Sequence, residues 1–350
     1  MNQSATAKPN LQPCTVDGIL QTPLLTSQSS STFGTGVTSP SIISIDRNND
    51  NINKIIHGDA LTELKKLPDA FIDLCVTSPP YWNQRSYGED PDMVGNESTV
   101  SEYIDKLTEI FSEVKRVLKS SGSCYVVISD KFNNKGELVK CQDSFIPSGS
   151  LCNIPSRYAI AMTDRLGFVL KNDIIWSKPN GFPNGAAAKR RFSVNYEHIL
   201  FFVKDSRNYY FKTQYEPYMS DPSKWNDKGP RFGGKKAPGY GSSTYSGKRW
   251  VPNNRGRIKR CVWEINTQKQ RQKFYAAYPE KLVEICINAC CPTEGIILDP
   301  FLGSGTTSLV ALKLNRKFIG IEISREYVQI CYRRLEPYLH NLISGNYQIT

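Results

Sequence analysis

The sequence predicts an α/β fold in which helices cover both faces of a largely parallel sheet. Short apolar segments alternate with amphipathic segments after residue 53, at a spacing that suits strands joined by helices. A glycine-rich turn directly follows the apolar run 296–299, at the kind of strand end where such sheets bind ligands. With 350 residues, 39% of them hydrophobic, the chain can bury one substantial core.

The first half of this alternation occupies residues 51–204. Pro155 favours the start of a helix, and Gly122 favours the end of the longest helix, whose Tyr103, Leu107 and Val114 share one face. Apolar and β-prone segments predict the strands. In chain order we predict strand 54–57, helix 60–67, strand 71–76, helix 99–119, strand 123–129, helix 155–166, strand 168–176 and strand 197–204.

The alternation then stops and resumes. Residues 205–272 are rich in Gly and Pro and lose periodicity, so we predict an insertion whose regular elements return only near Tyr278. Residues 1–50 are rich in Ser, Thr, Asn, Gln and Pro and predict a flexible tail. The last part, 273–340, predicts helix 279–290, strand 295–299, helix 306–314, strand 317–322 and helix 325–335.

Positive charge is concentrated in one segment. Residues 221–273 hold fourteen Lys or Arg against three acids, a net charge of +11 that equals that of the whole chain. Aromatic residues such as Trp225, Trp250 and Trp263 are interleaved with them, which suits phosphate neutralisation and base stacking. A solvated basic loop is the plainer interpretation, but solubility does not require such concentration, so we favour nucleic-acid contact.

The composition argues against several classes of protein and of binding site. No segment approaches the ~20 apolar residues of a membrane span, and no signal peptide is recognisable, so we expect a cytoplasmic protein with no membrane partner. The ten cysteines include no CxxC pair, and the three histidines are far apart. We therefore expect buried free thiols and no metal site.

The glycine-rich turn predicts a cofactor site. Gly303 and Gly305 permit close approach of the backbone, and the carboxylate of Glu322 at the next strand end can accept hydrogen bonds from ribose hydroxyls. No lysine follows Gly305, which argues against a P-loop. Asp299 would repel phosphate but attract an ammonium or sulfonium group, and S-adenosylmethionine carries both. A structural glycine turn with a capping aspartate remains the alternative.

Ser78-Pro79-Pro80-Tyr81 follows a predicted strand and is the candidate catalytic motif. Proline lacks an N–H and fixes the backbone, which leaves the carbonyls of Ser78 and Pro79 as oriented acceptors. Acceptors that hold the hydrogens of an exocyclic amine out of plane localise its lone pair towards a methyl donor, so transfer can be direct. Tyr81 can stack on a flipped base. Taken alone, the tetrapeptide could also be only a rigid turn.

Three motifs together carry a family resemblance. TSPPYW at 77–82, DPFLGSGTT at 299–307 and IGIEIS at 319–324 resemble the motifs of DNA amino-methyltransferases of the permuted order called beta. The resemblance extends over roughly 53–336. It implies the Rossmann-like fold of S-adenosylmethionine-dependent methyltransferases, with circularly permuted motifs, a mostly parallel seven-stranded sheet and a basic target-recognition insertion.

The resemblance also implies roles for individual residues. It divides the chain into a catalytic half, 51–204, a target-recognition region, 205–272, and a cofactor-binding half, 273–340. The implied catalytic residues are Ser78, Pro79, Pro80 and Tyr81. The implied cofactor-binding residues are Asp59, Asp299, Phe301, Gly303, Ser304, Gly305, Thr306 and Glu322. The implied substrate-binding residues are Trp82, Trp176, Lys248, Arg249, Arg255 and Arg257.

Serine in the first position of the tetrapeptide usually accompanies methylation of cytosine N4 in this family, and aspartate that of adenine N6. Ser78 therefore predicts a site-specific enzyme that uses S-adenosylmethionine to methylate cytosine N4 in double-stranded DNA. A separate restriction endonuclease is an expected partner, and the chain is expected to be a monomer or a homodimer. The alternatives are an adenine-N6 enzyme, an RNA or small-molecule methyltransferase, and a non-catalytic nucleic-acid-binding module.

Overall fold

The computed structural model describes residues 52–84, 93–134, 139–141, 144–181, 190–221, 252–268 and 277–344. The predicted tail, 1–50, lies outside them. The described strands are β1 Lys54–His57, β2 Ile72–Thr77, β3 Leu118–Ile128, β4 Val139–Cys141, β5 Ser144–Ile146, β6 Val169–Ser177, β7 Tyr196–Val203, β8 Tyr215–Glu216, β9 Arg257–Ile258, β10 Val262–Glu264, β11 Ile296–Asp299 and β12 Lys317–Glu322. The described helices are α1 Ala60–Leu64, α2 Val100–Val117, α3 Ile154–Asp164, α4 Glu280–Cys290, α5 Thr306–Lys313 and α6 Arg325–Ser344.

Eight of the strands form one sheet, in the order β1, β12, β11, β2, β3, β7, β6, β10. Strand β7 runs antiparallel to β3 and β6, and the other neighbouring pairs are parallel. The prediction of a largely parallel sheet is confirmed, with eight strands where seven were expected. Strands β4 and β5 form a separate antiparallel pair, and so do β8 and β9.

The eighth strand, β10, comes from the basic region. It pairs with β6, with Trp263 opposite Trp176, and the Trp263 side chain is buried. The prediction that regular elements return only near Tyr278 is therefore wrong, since β8, β9 and β10 all precede that residue. Strands of two or three residues are too short to produce a recognisable period in a sequence.

Helices lie on both faces of the sheet, as predicted. One buried cluster contains Leu107 and Phe111 of α2 with Tyr158 of α3, and the other contains Leu282 of α4 with Val310 of α5. Helices α1 to α3 thus contribute to the first cluster and α4 to α6 to the second. Each apolar helix stripe is removed from water against the sheet, which stabilises the three-layer arrangement. Of the described helices, none is long and apolar enough to cross a membrane.

Local signals explain the start and the end of α2, and other helix ends also differ from prediction: α1 ends at Leu64 rather than 67, and α3 spans Ile154–Asp164 rather than 155–166. Thr99 and Glu102 form a reciprocal capping box at the start of α2, worth about 1 kcal/mol. This helix ends at Val117 rather than 119 because Leu118 is already extended, with φ −67° and ψ 136°, and pairs with Ile72 in the sheet. Helix α6 continues through Pro337 to Ser344, beyond the predicted end at 335.

Candidate active site

A cavity of about 330 Å³ opens beside the carboxyl ends of β1, β2, β11 and β12. Parallel strands present these ends at the same edge of a sheet, so motifs distant in sequence meet there. The volume lies within the range typical of small-molecule sites. The predicted residues that line it are Asp59, Ser78, Pro79, Pro80, Tyr81, Phe301, Gly303, Ser304, Thr306 and Glu322.

The two glycines of the turn have different functions. Gly303 lines the cavity at φ +54°, and its N–H donates to Glu322 Oε2 at 2.7 Å. Gly305 does not line it. At φ +81°, a Cβ on Gly305 would lie 3.0 Å from the Sγ of Cys331 in α6, so this glycine permits the close packing of α6. Of the two, only Gly303 is placed for direct contact with a ligand.

Glu322 is the acid at the end of β12. Its side chain also accepts a hydrogen bond from the N–H of Ser324 at 2.8 Å, so each carboxylate oxygen has one backbone partner and keeps lone pairs for a ligand. Burial raises its pKa to about 7, the backbone N–H groups of Ser324 and Gly303 oppose this rise, and the nearby Asp299 adds to it. The position suits the predicted acceptor for ribose hydroxyls.

Asp299 lies behind the cavity wall rather than in it. Its side chain is buried and accepts hydrogen bonds from Thr77 Oγ1 and Thr307 Oγ1, each at 2.6 Å, from Tyr278 OH at 3.0 Å and from the N–H of Phe301 at 3.1 Å. Burial raises its pKa, and the hydrogen bonds oppose that rise. The carboxylate therefore joins the end of β2, the start of α5 and the segment before α4, and a ligand would not touch it in this conformation.

Asp59 lies at the start of α1, after β1. Its Oδ1 accepts from the backbone N–H and the hydroxyl of Thr62, both at 2.9 Å, which caps the helix. Among the described residues, its Oδ2 accepts no hydrogen bond. One oxygen thus stabilises the helix while the other is available at the cavity for a ligand that donates hydrogen bonds, such as an amino group.

The tetrapeptide places its backbone acceptors beside the cavity. The carbonyl of Pro80 accepts from Tyr103 OH at 2.9 Å, which ties the loop to α2. Among the described residues, no group donates to the carbonyls of Ser78 or Pro79. Both residues line the cavity. The two carbonyls that the sequence analysis proposed as acceptors are therefore the two without an internal partner in this part of the chain.

A polar network that the sequence analysis missed surrounds Tyr81. Its hydroxyl donates to Glu197 Oε2 at 2.7 Å, and the hydroxyl of Ser78 donates to Tyr81 OH at 3.3 Å. The ammonium of Lys178 donates to the other carboxylate oxygen of Glu197 and lies 4.4 Å from the ring centre of Trp176. Nothing local signals this network, because Glu197 is 116 residues from Tyr81 in sequence.

The two tryptophans predicted to bind substrate are buried, each 3% exposed. Trp82 Nε1 donates to the carbonyl of Glu97, and Trp176 Nε1 donates to that of Ile265, both at 2.8 Å. Neither ring lines the cavity. They support the site from within the fold, and direct contact with a substrate would require them to move.

The predicted basic contacts lie away from the cavity where the structure describes them. The guanidinium of Arg255 stacks 4.4 Å from the ring centre of Tyr215 and donates to its hydroxyl. Arg257 pairs with Glu216, with Nε and Oε1 2.8 Å apart. These contacts belong to the β8–β9 pair and the residues just before β9. Lys248 and Arg249 lie outside the described residues.

The described cysteines agree with the prediction of buried free thiols. The nine cysteines within the described ranges are all free thiols, and eight of them are buried. Burial raises the pKa of Cys286 well above its ordinary value and that of Cys290 to about 11, so these thiols stay protonated and behave as small apolar residues.

Comparison with known proteins adds independent findings. Residues 72–333 match the DNA methylase family N6_N4_Mtase. The chain is 31% identical over 304 residues to Type II methyltransferase M.Cfr9I of Citrobacter freundii, covering 83% of this chain and 89% of that protein. It is 32% identical over 290 residues to the DNA adenine methyltransferase YhdJ of Escherichia coli strain K12, covering 82% and 83%.

A solved structure shares the fold. The cytosine-N4-specific PvuII DNA methyltransferase aligns with a TM-score of 0.56 and 22% identity, covering 84% of this chain and 93% of that one. At this identity the likeness concerns the architecture, which agrees with the mostly parallel sheet and the helices on both its faces.

Proposed function

The chain belongs to the DNA methylase family of N4-cytosine and N6-adenine methyltransferases, and from that premise we propose that it methylates cytosine N4 in duplex DNA. S-adenosylmethionine is its cofactor. The observation that carries the proposal is that Ser78 and Pro79 line the cavity and that, among the described residues, no group donates to their carbonyls.

The residues around the cavity fit the cofactor. Glu322 offers acceptor oxygens for ribose hydroxyls, and Asp59 offers Oδ2 for the adenine amino group. Phe301 and Ile321 supply apolar surface between them. Asp299 supports the loop from behind and acts on the cofactor through the position of that loop rather than by contact.

When bound, the cofactor supplies an electrophilic methyl group on a sulfonium. The carbonyls of Ser78 and Pro79 accept the two hydrogens of the target amine, which turns the lone pair of its nitrogen out of the ring plane and towards that methyl group. Methyl transfer from the bound cofactor would then be direct and in line, and the proton that the amine loses would pass to solvent. Tyr81 stacks on the base, which offsets part of the few kcal/mol that flipping costs.

The identity of the base rests on Ser78, since serine in this position usually accompanies cytosine. Adenine N6 is the second candidate, favoured by the 32% identity to a DNA adenine methyltransferase. Either base presents an exocyclic amine to the same two carbonyls, so the backbone geometry suits both.

We assign DNA recognition to residues 205–272, between the catalytic half at 51–204 and the cofactor-binding half at 273–340. The net charge of +11 within 221–273 supports this assignment. Arg255, held against Tyr215, is a candidate phosphate or base contact. The Type II name of relatives such as M.Cfr9I supports a role beside a separate restriction endonuclease.

The test is to incubate the protein with tritiated S-adenosylmethionine and unmethylated DNA and to digest the product to nucleosides. We expect label in N4-methylcytosine. Label in N6-methyladenine would overturn the choice of base and keep the reaction. No label in DNA would overturn the proposed function, and label in RNA alone would assign another substrate class.

A further inference from the structure

The network around Tyr81 is unusually well shielded for ionised groups. The side chains of Glu197 and Lys178 are 14% and 19% exposed, and the two carboxylate oxygens of Glu197 serve different partners. Ser177 lies opposite Tyr196 in the β6–β7 register, and the N–H of Lys178 donates to Asn195 O at 2.8 Å. The sheet itself therefore holds Lys178 and Glu197 side by side.

The backbone and the ring of Tyr81 need separate constraints. The prolines and the hydrogen bond from Tyr103 to Pro80 fix the backbone, but they leave the torsions of the Tyr81 side chain free. A ring that must stack on a base has to be held at a defined angle, because small misplacements cost rate. The hydroxyl lies at the far end of the ring from the backbone, so a hydrogen bond there sets the direction of the ring.

We propose that Glu197 is a positioning residue that fixes the ring of Tyr81 for stacking on the target base, and that Lys178 holds the Glu197 carboxylate in the orientation that this requires. This inference rests on the proposed function. It also explains the side chain of Ser78, whose hydroxyl donates to Tyr81 OH and so joins the same network, leaving only its carbonyl to bind the amine.

Four variants test the inference in single-turnover methyl transfer: Tyr81→Phe, Glu197→Ala, the double variant, and Glu197→Gln. A hydrogen bond to a charged group corresponds to roughly tenfold in rate, so we expect each of the first two to slow transfer about tenfold. The double variant should be no slower than either single variant, because both remove the same contact. Glu197→Gln keeps one acceptor oxygen for two donors, so its rate should lie between that of wild type and that of Glu197→Ala.

Glu280→Ala is the matched control, because Glu280 also pairs with a lysine, Lys313, but lies outside the cavity lining. It should leave the transfer rate unchanged. Cofactor affinity should be unaffected in all variants. Rate losses that add in the double variant, or a Glu197→Ala enzyme as fast as wild type, would overturn the inference.

A second readout does not depend on activity. In protein carrying 3-fluorotyrosine at position 81, the ¹⁹F resonance reports the surroundings of the hydroxyl end of the ring. We expect Glu197→Ala and Lys178→Met to shift or broaden this resonance and Glu280→Ala to leave it unchanged. If the wild-type protein transfers no methyl group to DNA, the proposed function fails while this measurement still decides whether Glu197 holds the ring. An unmoved resonance would refute the inference.

Discussion

We predict that Glu322 couples pH to both stability and cofactor binding, and the variant Glu322→Gln tests this. Burial raises the pKa of Glu322 from an ordinary 4.5 to about 7. The folded protein therefore holds this proton to a higher pH than the unfolded chain does. The associated stability is fully present below pH 4.5 and is lost as the pH rises through about 7. The shift corresponds to about 3 kcal/mol.

Glutamine at position 322 cannot ionise, so the variant does not lose this stability as the pH rises. Its amide nitrogen will face one of the two backbone N–H donors, from Gly303 or Ser324, which costs about 1–3 kcal/mol at every pH. The test is therefore how the difference in free energy of unfolding between variant and wild type changes with pH. Between pH 5 and pH 8, we expect the free energy of unfolding of the variant to gain about 2.5 kcal/mol relative to wild type.

Urea denaturation at several pH values measures this difference, with Glu280→Gln as a control at a half-buried glutamate outside the cavity, whose pH dependence should track that of the wild type. Cofactor affinity provides the second assay. In the proposed pose, ribose hydroxyls donate to the ionised carboxylate, so wild-type affinity should rise relative to the variant between pH 6 and pH 8. The ratio of the two affinities cancels the titration of the cofactor's own amino group. A stability difference that stays constant from pH 5 to pH 8 would refute the reasoning.

Three further predictions follow from the site. Ser78→Ala should slow methyl transfer less than Pro79→Ala, because backbone carbonyls bind the amine and proline fixes them; the reverse order of single-turnover rates would contradict this mechanism. Asp299→Ala removes the acceptor of four donors, two of them on the buried residues Thr77 and Thr307, and should lower the free energy of unfolding in urea by about 3 kcal/mol. Gly305→Ala should lower the free energy of unfolding by about 1–2 kcal/mol, partly through the clash with Cys331 and partly through the positive φ. Adding Cys331→Ala should relieve the clash but not the backbone strain. Full recovery of stability in the double variant would therefore argue against the contribution of φ.

The sequence predicted the sheet well where buried strands alternate with amphipathic helices. Strands β1 and β12 have the predicted bounds, and β2 and β11 differ by one residue at their ends. The carboxyl ends of β2 and β11 carry TSPPYW and DPFLGSGTT, and because these strands are parallel neighbours the two motifs meet at one edge of the sheet. The alternation of strands and helices, together with the rule that parallel strands end at the same edge of a sheet, thus accounts for most of the cavity.

The parts that were missed depend on contacts distant in sequence. Strand β10 is three residues long and is specified by its pairing with β6, about 90 residues earlier, rather than by its own pattern. The bond from Tyr81 to Glu197 exists because β7 runs antiparallel between β3 and β6, which brings its first residues to the catalytic loop. The pairing of these strands is set by tertiary packing, and the residues next to them in sequence do not indicate it.

Asp299 belongs to the predicted cofactor motif, but its hydrogen bonds in the structure differ from the role that was predicted for it. From its position after a strand, this carboxylate was predicted to attract a sulfonium or ammonium group directly. In the structure four internal donors satisfy it, and one of them, Thr77, immediately precedes Ser78. Another, Thr307, lies in the first turn of α5, beyond the glycine turn. The same acid therefore links the tetrapeptide to the cofactor loop, so we predict that its loss weakens cofactor binding and methyl transfer together, although its side chain does not line the cavity.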